Sequence, residues 1–379
     1  MSGDVVDREM MARALRLAER GRYTTSPNPR VGCVIARGDK VLAEGWHIRA
    51  GDGHAEVNAL AKLEDGAARG ATAYVTLEPC SHYGRTPPCA EALVKAGLAR
   101  VVVAMTDPNP LVAGQGIAML RQAGIVCESG LLEDQARELN RGFIQRIVGG
   151  RPWLRAKSAM SLDGRTAMAS GESQWITGPE ARRDVQRLRA QSCAIISGVD
   201  TVLHDDAALT VRPEMLAGEL DCADSCRQPL RLIMDSQLRL SPGGRLFSGG
   251  GPVIVATLSR DDSKRQRLEQ AGAEVIRLEP DRDDRMPVLP VLMLLAERGC
   301  NEVMLEAGAR LTGSFAQAGL IDEWFVYMAP TLLGSNGRPL VTLPLDSMAQ
   351  QRGLVIKDIR AVGADWRIHC ALRQPDTGS

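Results

Sequence analysis

The sequence predicts an α/β protein in two parts. Strand patterns alternate with helical patterns of 10–15 residues along the chain, the signature of layered α/β domains. Gly149-Gly150-Arg151-Pro152 interrupts that alternation with two flexible residues and a proline, which reads as a boundary. At roughly 150 residues per domain, the 379 residues suit two domains or three. The expected domains are residues 1–148 and 149–379.

In the first part, Asp7–Gly21 carries Met10, Met11, Ala14, Leu15 and Ala18 at helical spacing, with Gly21 as a stop. Val31–Ala36 and Lys40–Gly45 read as strands joined by a tight turn at Arg37-Gly38-Asp39. A helix from His54 to Leu63, a strand Thr72–Leu77, a helix Pro88–Ala96 and a strand Arg100–Met105 follow. A helix Gly114–Gln122, a short strand Ile125–Cys127 and a helix Glu133–Ile147 complete the segment. After the first hairpin, this alternation implies a largely parallel sheet.

In the second part, Trp153–Met160 is the first strand. Thr177-Gly178-Pro179-Glu180 matches a capping box with proline in the first turn, predicting a helix to Ala190. Strands are expected at Ala194–Ser197, Leu230–Asp235, Val253–Ala256, Glu274–Arg277, Glu302–Leu305, Glu323–Met328, Val355–Ile359 and Asp365–Leu372. Helices are expected at Asp262–Ala271, Val288–Arg298 and Leu311–Ala318, and surface loops at Pro213–Gln228 and Glu279–Pro287.

Composition excludes several classes. Lys+Arg and Asp+Glu number 46 each, so the formal net charge is zero and a broad basic field for nucleic acid is absent. Aromatics are 3%, too few for extended base-stacking platforms. The apolar run Val288–Ala296 is broken by Pro290 and falls short of the ~20 residues of a membrane helix. Met1-Ser2-Gly3-Asp4 lacks a basic n-region and an apolar h-region, so a cytoplasmic protein is expected. Nine cysteines without a secretion signal read as reduced thiols, with metal ligation open to a subset. Cys33, Cys127, Cys193, Cys300 and Cys370 lie in or beside apolar runs and read as small buried hydrophobes. Cys222 and Cys226 share a polar insert with no histidine near, and free thiols are their ordinary reading.

The strongest chemical signal is His54-Ala55-Glu56 followed by Glu78-Pro79-Cys80 and, later, Cys89. Alone, His54 would be a hydrogen-bonded residue at a helix start. One imidazole and two thiolates, however, supply three ligands and leave the fourth tetrahedral position open, as in catalytic zinc sites. Glu56 is placed to reach water there without ligating the metal, the arrangement of zinc deaminases. Their usual Pro-Cys-x-x-Cys is replaced by a longer loop, Ser81-His82-Tyr83-Gly84-Arg85-Thr86-Pro87-Pro88, between the thiolates. His82 and Arg85 in that loop could reach a substrate or simply face solvent. Asn28, in a proline-bounded loop, could read a pyrimidine edge or serve as a turn residue. His47 reads as structural rather than as a fourth ligand.

The loop Cys80-Ser81-His82-Tyr83-Gly84-Arg85-Thr86-Pro87-Pro88-Cys89 resembles the hallmark of the bifunctional deaminase/reductases of riboflavin biosynthesis. The resemblance extends to Ser26-Pro27-Asn28-Pro29 with Val31-Gly32, to His54-Ala55-Glu56, and to Asp107-Pro108-Asn109-Pro110, and covers nearly the whole chain. It implies a cytidine-deaminase-like three-layer domain followed by a dihydrofolate-reductase-like domain. It also implies one Zn2+ per chain, NADPH, a pyrimidine ribosyl phosphate substrate with neither nucleic acid nor membrane as partner, and a homo-oligomer, dimer or tetramer.

In the second part, Val303-Met304-Leu305-Glu306-Ala307-Gly308 leads from a strand into a helix whose N-terminus suits a phosphate, although the full G-x-G-x-x-G pattern is missing. Ser161–Thr166, Gly171–Thr177, Asp200–Leu203 and Leu209–Arg212 resemble the reductase half. That resemblance implies cofactor contacts at Ala159, Trp175, Thr201, Asp205, Gly308, Ala309, Arg310, Leu311, Thr312, Gly313 and Ser314. It implies substrate contacts at Ser173, Arg189, Leu209, Arg212 and Glu306, the two arginines suiting a 5′-phosphate. The chain departs from the family with Ala207 in place of proline after Asp205-Asp206, and with Ala309-Arg310 where glycine or proline is common. Two rivals stand beside this reading: a nucleic-acid or nucleoside deaminase with an unrelated C-terminal domain, and a closed structural zinc module attached to a lone reductase.

Overall fold

The computed structural model describes residues 3–83, 87–110, 112–216 and 227–373. Arg85, Cys222 and Cys226 lie outside the described residues. The chain divides into two compact units, Met1–Gly150 and Arg151–Ser379.

The first unit runs α1 (Gly3–Glu19), β1 (Gly32–Arg37), β2 (Lys40–Trp46), α2 (Ala55–Leu60), β3 (Thr72–Val75), α3 (Cys89–Lys95), β4 (Arg100–Val103), α4 (Gln115–Gln122), β5 (Val126–Ser129), α5 (Glu133–Leu139) and α6 (Arg141–Gly149). Its sheet has the order β2-β1-β3-β4-β5, with β1 antiparallel to both neighbours and β3, β4 and β5 parallel. Two glycines show how the layers close on it. A Cβ at Gly32 would lie 2.0 Å from the Ala14 carbonyl of α1, and one at Gly45 would lie 2.3 Å from the Ala55 carbonyl of α2. Gly45 pairs with Cys33, next to Gly32, so α1 and α2 cover opposite faces of the sheet. Met10, Met11, Ala14 and Ala18 of α1 are buried, as their spacing predicts.

Where one helix was expected from Glu133 to Ile147, there are two. Asn140 breaks the run at φ −109° and pairs with both backbone groups of Arg30, accepting from its N–H at 2.8 Å and donating to its carbonyl at 2.9 Å. Helix α6 then continues to Gly149, and Gly150 caps it at φ +68°. The division between the units therefore falls just past the expected 148/149.

The second unit runs β6 (Trp153–Ser161), β7 (Arg165–Ala167), α7 (Pro179–Gln191), β8 (Ala194–Gly198), α8 (Val199–Asp205), β9 (Leu230–Met234), α9 (Arg245–Ser248), β10 (Val253–Thr257), α10 (Asp262–Gln270), β11 (Ala273–Arg277), α11 (Val288–Glu297), β12 (Glu302–Leu305), α12 (Ala309–Gln317), β13 (Glu323–Ala329), β14 (Arg338–Pro339), β15 (Leu354–Val362) and β16 (Asp365–Leu372). Nine strands form one sheet in the order β11-β10-β9-β8-β12-β6-β13-β16-β15, parallel up to β13 and antiparallel through β16 and β15. Helices α8 and α9 and the short β7–β14 pair carry too few apolar repeats to be read in advance. The expected capping box at Thr177 is not formed. Gly178 is the N-cap of α7 and donates its N–H to Asp365 at 2.7 Å, a partner from the far end of the unit.

Several charges are buried in this unit as pairs. Arg155, 2% exposed, donates to Glu323 at 2.7 Å and Glu302 at 3.4 Å. Asp184, on α7, accepts from Tyr327 and Arg367, each at 2.7 Å, which ties the helix to β13 and β16.

Candidate active sites

In the first unit, His54 is the N-cap of α2, Cys89 is the first residue of α3, and Cys80 follows β3 by a short loop. One ligand atom from each falls within 4.8 Å of the others. His54 Nδ1 lies 3.3 Å from Cys89 Sγ and 3.6 Å from Cys80 Sγ. Tetrahedral zinc, with bonds of about 2.3 Å to sulfur and about 2.0 Å to nitrogen, separates N and S ligands by roughly 3.5 Å, so the donor set fits the ion in spacing and in chemistry. The Cys89 N–H donates to Cys80 Sγ at 3.2 Å, a bond that favours a thiolate there. Hydrogen bonding from Cys89 first, with His54 adding to it, pulls the Cys80 thiol down to about 4, while Cys89 is pushed up as the donor partner and by burial. His54 is raised, chiefly by its bond to Cys80.

Glu56 sits in the first turn of α2, 3% exposed and within hydrogen-bonding reach of Cys89. Burial pushes its carboxyl up to about 7. His47 lies outside the ligand cluster, edge-on to His54. Its Nδ1 meets the Gly53 carbonyl at 3.1 Å, and its Nε2 meets Asn28 Nδ2 at 3.1 Å. With Nδ1 as donor, Nε2 accepts from the Asn28 amide, so His47 orients Asn28.

Glu78 has a part the motif reading did not assign. Its carboxylate, 5% exposed, accepts from the N–H groups of Asp107, Gly114, Gly116 and Ile117 at 2.9–3.2 Å. The residue two before Cys80 thus pins the Asp107–Ile117 segment to the ligand loop. Its position in Glu78-Pro79-Cys80 was visible, but its partners are about thirty or more residues away.

In the second unit, some of the expected residues lie at the carboxyl ends of three adjacent parallel strands, β8, β12 and β6, where open α/β sheets bind ligands. Ala159 is on β6, Thr201 and Asp205 are on α8 after β8, and Glu306 and Gly308 follow β12. Gly308 is the N-cap of α12 and has no side chain to cap it with, and Ala309, Arg310, Leu311, Thr312, Gly313 and Ser314 form the first turns. Thr312 and Ser314 donate to the carbonyls of Ala307 and Arg310, and Arg310 is exposed. Gly313 is required for packing, since a Cβ there would lie 2.0 Å from the Thr342 carbonyl. Trp175 is 65% exposed, with the Arg182 guanidinium 4.6 Å over its ring.

Ser173 donates to Asp205 at 3.4 Å, which brings an expected substrate residue against an expected cofactor residue. Arg189 donates to both oxygens of Glu306, at 2.8 and 2.9 Å, and to the Thr210 carbonyl at 2.8 Å. Its guanidinium is therefore largely committed within the protein, whereas Arg212 is exposed. Leu209 is buried at φ +53°. Lys157 completes the cluster with Nζ 3.8 Å from Glu306. Burial lowers its ammonium despite Glu306, while Arg189 and Lys157 outweigh burial and bring the Glu306 carboxyl down. A lysine inside an otherwise buried strand was the available sign for Lys157.

A three-donor metal centre with a buried glutamate beside it has the make-up of a zinc deaminase, and polar groups at the strand ends of a second α/β unit suit a ligand-binding enzyme domain. Comparison supports each half. Residues 5–105 match the cytidine and deoxycytidylate deaminase zinc-binding region, and residues 152–368 match the RibD C-terminal domain. The chain is 49% identical over 369 residues to the riboflavin biosynthesis protein RibD of Escherichia coli (strain K12), covering 96% of this chain and 98% of that one. A structure of Acinetobacter baumannii RibD superimposes with a TM-score of 0.90 at 45% identity, covering 98% of this chain and 100% of that one. A diaminohydroxyphosphoribosylaminopyrimidine deaminase/5-amino-6-(5-phosphoribosylamino)uracil reductase from Thermotoga maritima gives 0.83 at 30% identity, covering 98% and 99%. The chain belongs to the RibD family of bifunctional riboflavin biosynthesis enzymes. Among the described residues, no helix is long and apolar enough to cross a membrane.

Proposed function

We propose that residues 1–148 hydrolytically deaminate 2,5-diamino-6-ribosylamino-4(3H)-pyrimidinone 5′-phosphate, and that residues 149–379 then reduce the ribosyl group of the product to ribityl with NADPH. The observation that carries the first half is the convergence of His54, Cys80 and Cys89 beside a buried Glu56 that is not itself a ligand. His54, Cys80 and Cys89 would hold one zinc per chain, which when bound supplies the Lewis acidity that makes water nucleophilic near neutral pH. Glu56 takes one proton from the attacking water and delivers it to a ring nitrogen, then takes the remaining hydroxyl proton of the adduct and passes it to the amino group, which departs as ammonia. Asn28, oriented by His47, presents its carboxamide to the pyrimidine edge.

For the reductase, NADPH supplies hydride to the open-chain imine or aldehyde carbon of the substrate. The N-terminus of α12, from Gly308 to Ser314, holds the cofactor phosphates, with Arg310 near the 2′-phosphate and Ala159, Trp175, Thr201 and Asp205 completing its pocket. Arg212 takes the 5′-phosphate of the substrate, beside Ser173 and Leu209. Arg189 serves the same pocket by holding Glu306 and the Thr210 carbonyl in place. The enzyme acts in the cytoplasm as a homo-oligomer, a dimer or tetramer.

Product analysis tests this reading. The purified protein given the diaminopyrimidine phosphate alone yields the deaminated ribosylaminouracil phosphate, and addition of NADPH yields the ribityl product. Deamination of cytidine or of single-stranded nucleic acid in place of that substrate would favour the nucleoside or nucleic-acid deaminase.

A further inference from the structure

We infer that Gln186 and Gln228 are positioning residues for reductase substrate binding: they hold the backbone of Leu209–Arg212 so that the Arg212 guanidinium is presented to the substrate phosphate. The inference rests on the role proposed above for Arg212. Along this segment Leu209 and Val211 are buried, Thr210 is half-buried and Arg212 is exposed, the alternation of a strand. The segment belongs to no strand of the sheet, so its backbone groups need other partners.

Side chains provide them. Gln228 accepts from the Val211 N–H at 2.9 Å and donates to the Val211 carbonyl at 3.0 Å. Its amide thus copies the one donor and one acceptor that a neighbouring strand would offer. Gln186, 4% exposed, accepts from the N–H of Arg212 itself at 2.9 Å. It lies on α7 three residues before Arg189, on the same helix face, and Arg189 grips the Thr210 carbonyl. Arg231, 1% exposed, donates to the Ala208 carbonyl at 3.2 Å. Leu209 is held at φ +53°, a conformation leucine keeps only where its surroundings over-determine it. Five side-chain bonds, spread over four of the five residues Ala208–Arg212 and flanking Leu209 on both sides, do so. The grip ends at the residue whose side chain faces out.

The test is a kinetic cycle on the full-length enzyme, with the ribosylaminouracil phosphate and NADPH as substrates. Gln186→Met and Gln228→Met each raise the KM for the pyrimidine substrate by about fivefold or more, while the KM for NADPH and kcat stay within about twofold. Gln186→Glu, which keeps the acceptor oxygen, restores most of the loss. In an Arg212→Ala background, Gln186→Met adds no further rise, because the two act through one contact. Should Gln186→Met fail to fold, the cycle is run with Gln228→Met. An unchanged substrate KM, an equal rise in the NADPH KM, or losses that multiply with Arg212→Ala would overturn the inference. If Arg212→Ala itself leaves the substrate KM unmoved, the role of Arg212 is what has failed, and the inference falls with it.

Discussion

His54 and Cys89 each open a helix, where the backbone changes direction and the side chain projects from a fixed frame. Preorganisation of this kind makes zinc affinity sensitive to every ligand. Changing His54, Cys80 or Cys89 to alanine is expected to abolish both zinc retention and deamination, and full zinc occupancy in Cys89→Ala would remove Cys89 from the ligand set. Glu56 separates binding from chemistry. Glu56→Gln keeps its volume in a buried turn and is expected to retain zinc while losing deamination by at least ~10²-fold, the usual scale for an acid–base group. Activity near that of the parent enzyme would reduce Glu56 to a packing role. These residues were legible in the sequence because zinc chemistry restricts residue type and the ligands lie in short local motifs. Lys157 was not, because the group that explains it, Glu306, is brought beside it only by the pairing of β6 with β12.

Long, strongly periodic elements were equally legible: α1, α7, α11 and the central strands follow apolar spacing that burial then confirms. Element ends were less so, since distant partners decide them. Asn140 stops α5 by bonding Arg30, and Asp365 takes the N–H at the start of α7 that a local cap would have met. Helix α7 carries a further long-range tie at Asp184. Burial pushes the Asp184 carboxyl up, but hydrogen bonds from Tyr327 and Arg367, the Arg367 charge and a hydrogen bond from Arg187 together outweigh it, and the carboxyl ends below the usual range. A carboxylate with a depressed folded pKa contributes stability that is present above its unfolded pKa and lost as pH falls through the folded one. Asp184→Asn leaves Arg367 without that charge and is expected to cost about 3 kcal/mol near neutral pH. The deficit should begin to shrink below about pH 4, the unfolded value, and vanish as pH falls through the lower folded one. Urea unfolding at pH 7 and at pH 3 measures both, and an equal deficit at the two pH values would discard the electrostatic account.

At the scale of the whole molecule, each unit has its own sheet and its own buried core, and each candidate site lies wholly within one unit. The residues proposed as metal ligands and Glu56 precede Gly150, and the residues proposed for NADPH and the reductase substrate follow Arg151. Gly150 ends α6 in a left-handed conformation, and the Arg151 guanidinium then pairs with Asp322 at 2.6 and 2.8 Å, inside the second unit. A chain beginning at Arg151 keeps that ion pair and begins just before β6. It is therefore expected to fold, to bind NADPH without zinc, and to reduce the deaminated substrate. In that fragment Arg212→Ala should raise the KM for the substrate well above any change for NADPH, because a lost phosphate contact removes binding energy while leaving the hydride step in place. A fragment that folds, by its melting transition, yet reduces nothing at high substrate would mean that the reductase site needs residues from the first unit. A rise confined to the NADPH KM would exchange the two phosphates between their assigned pockets.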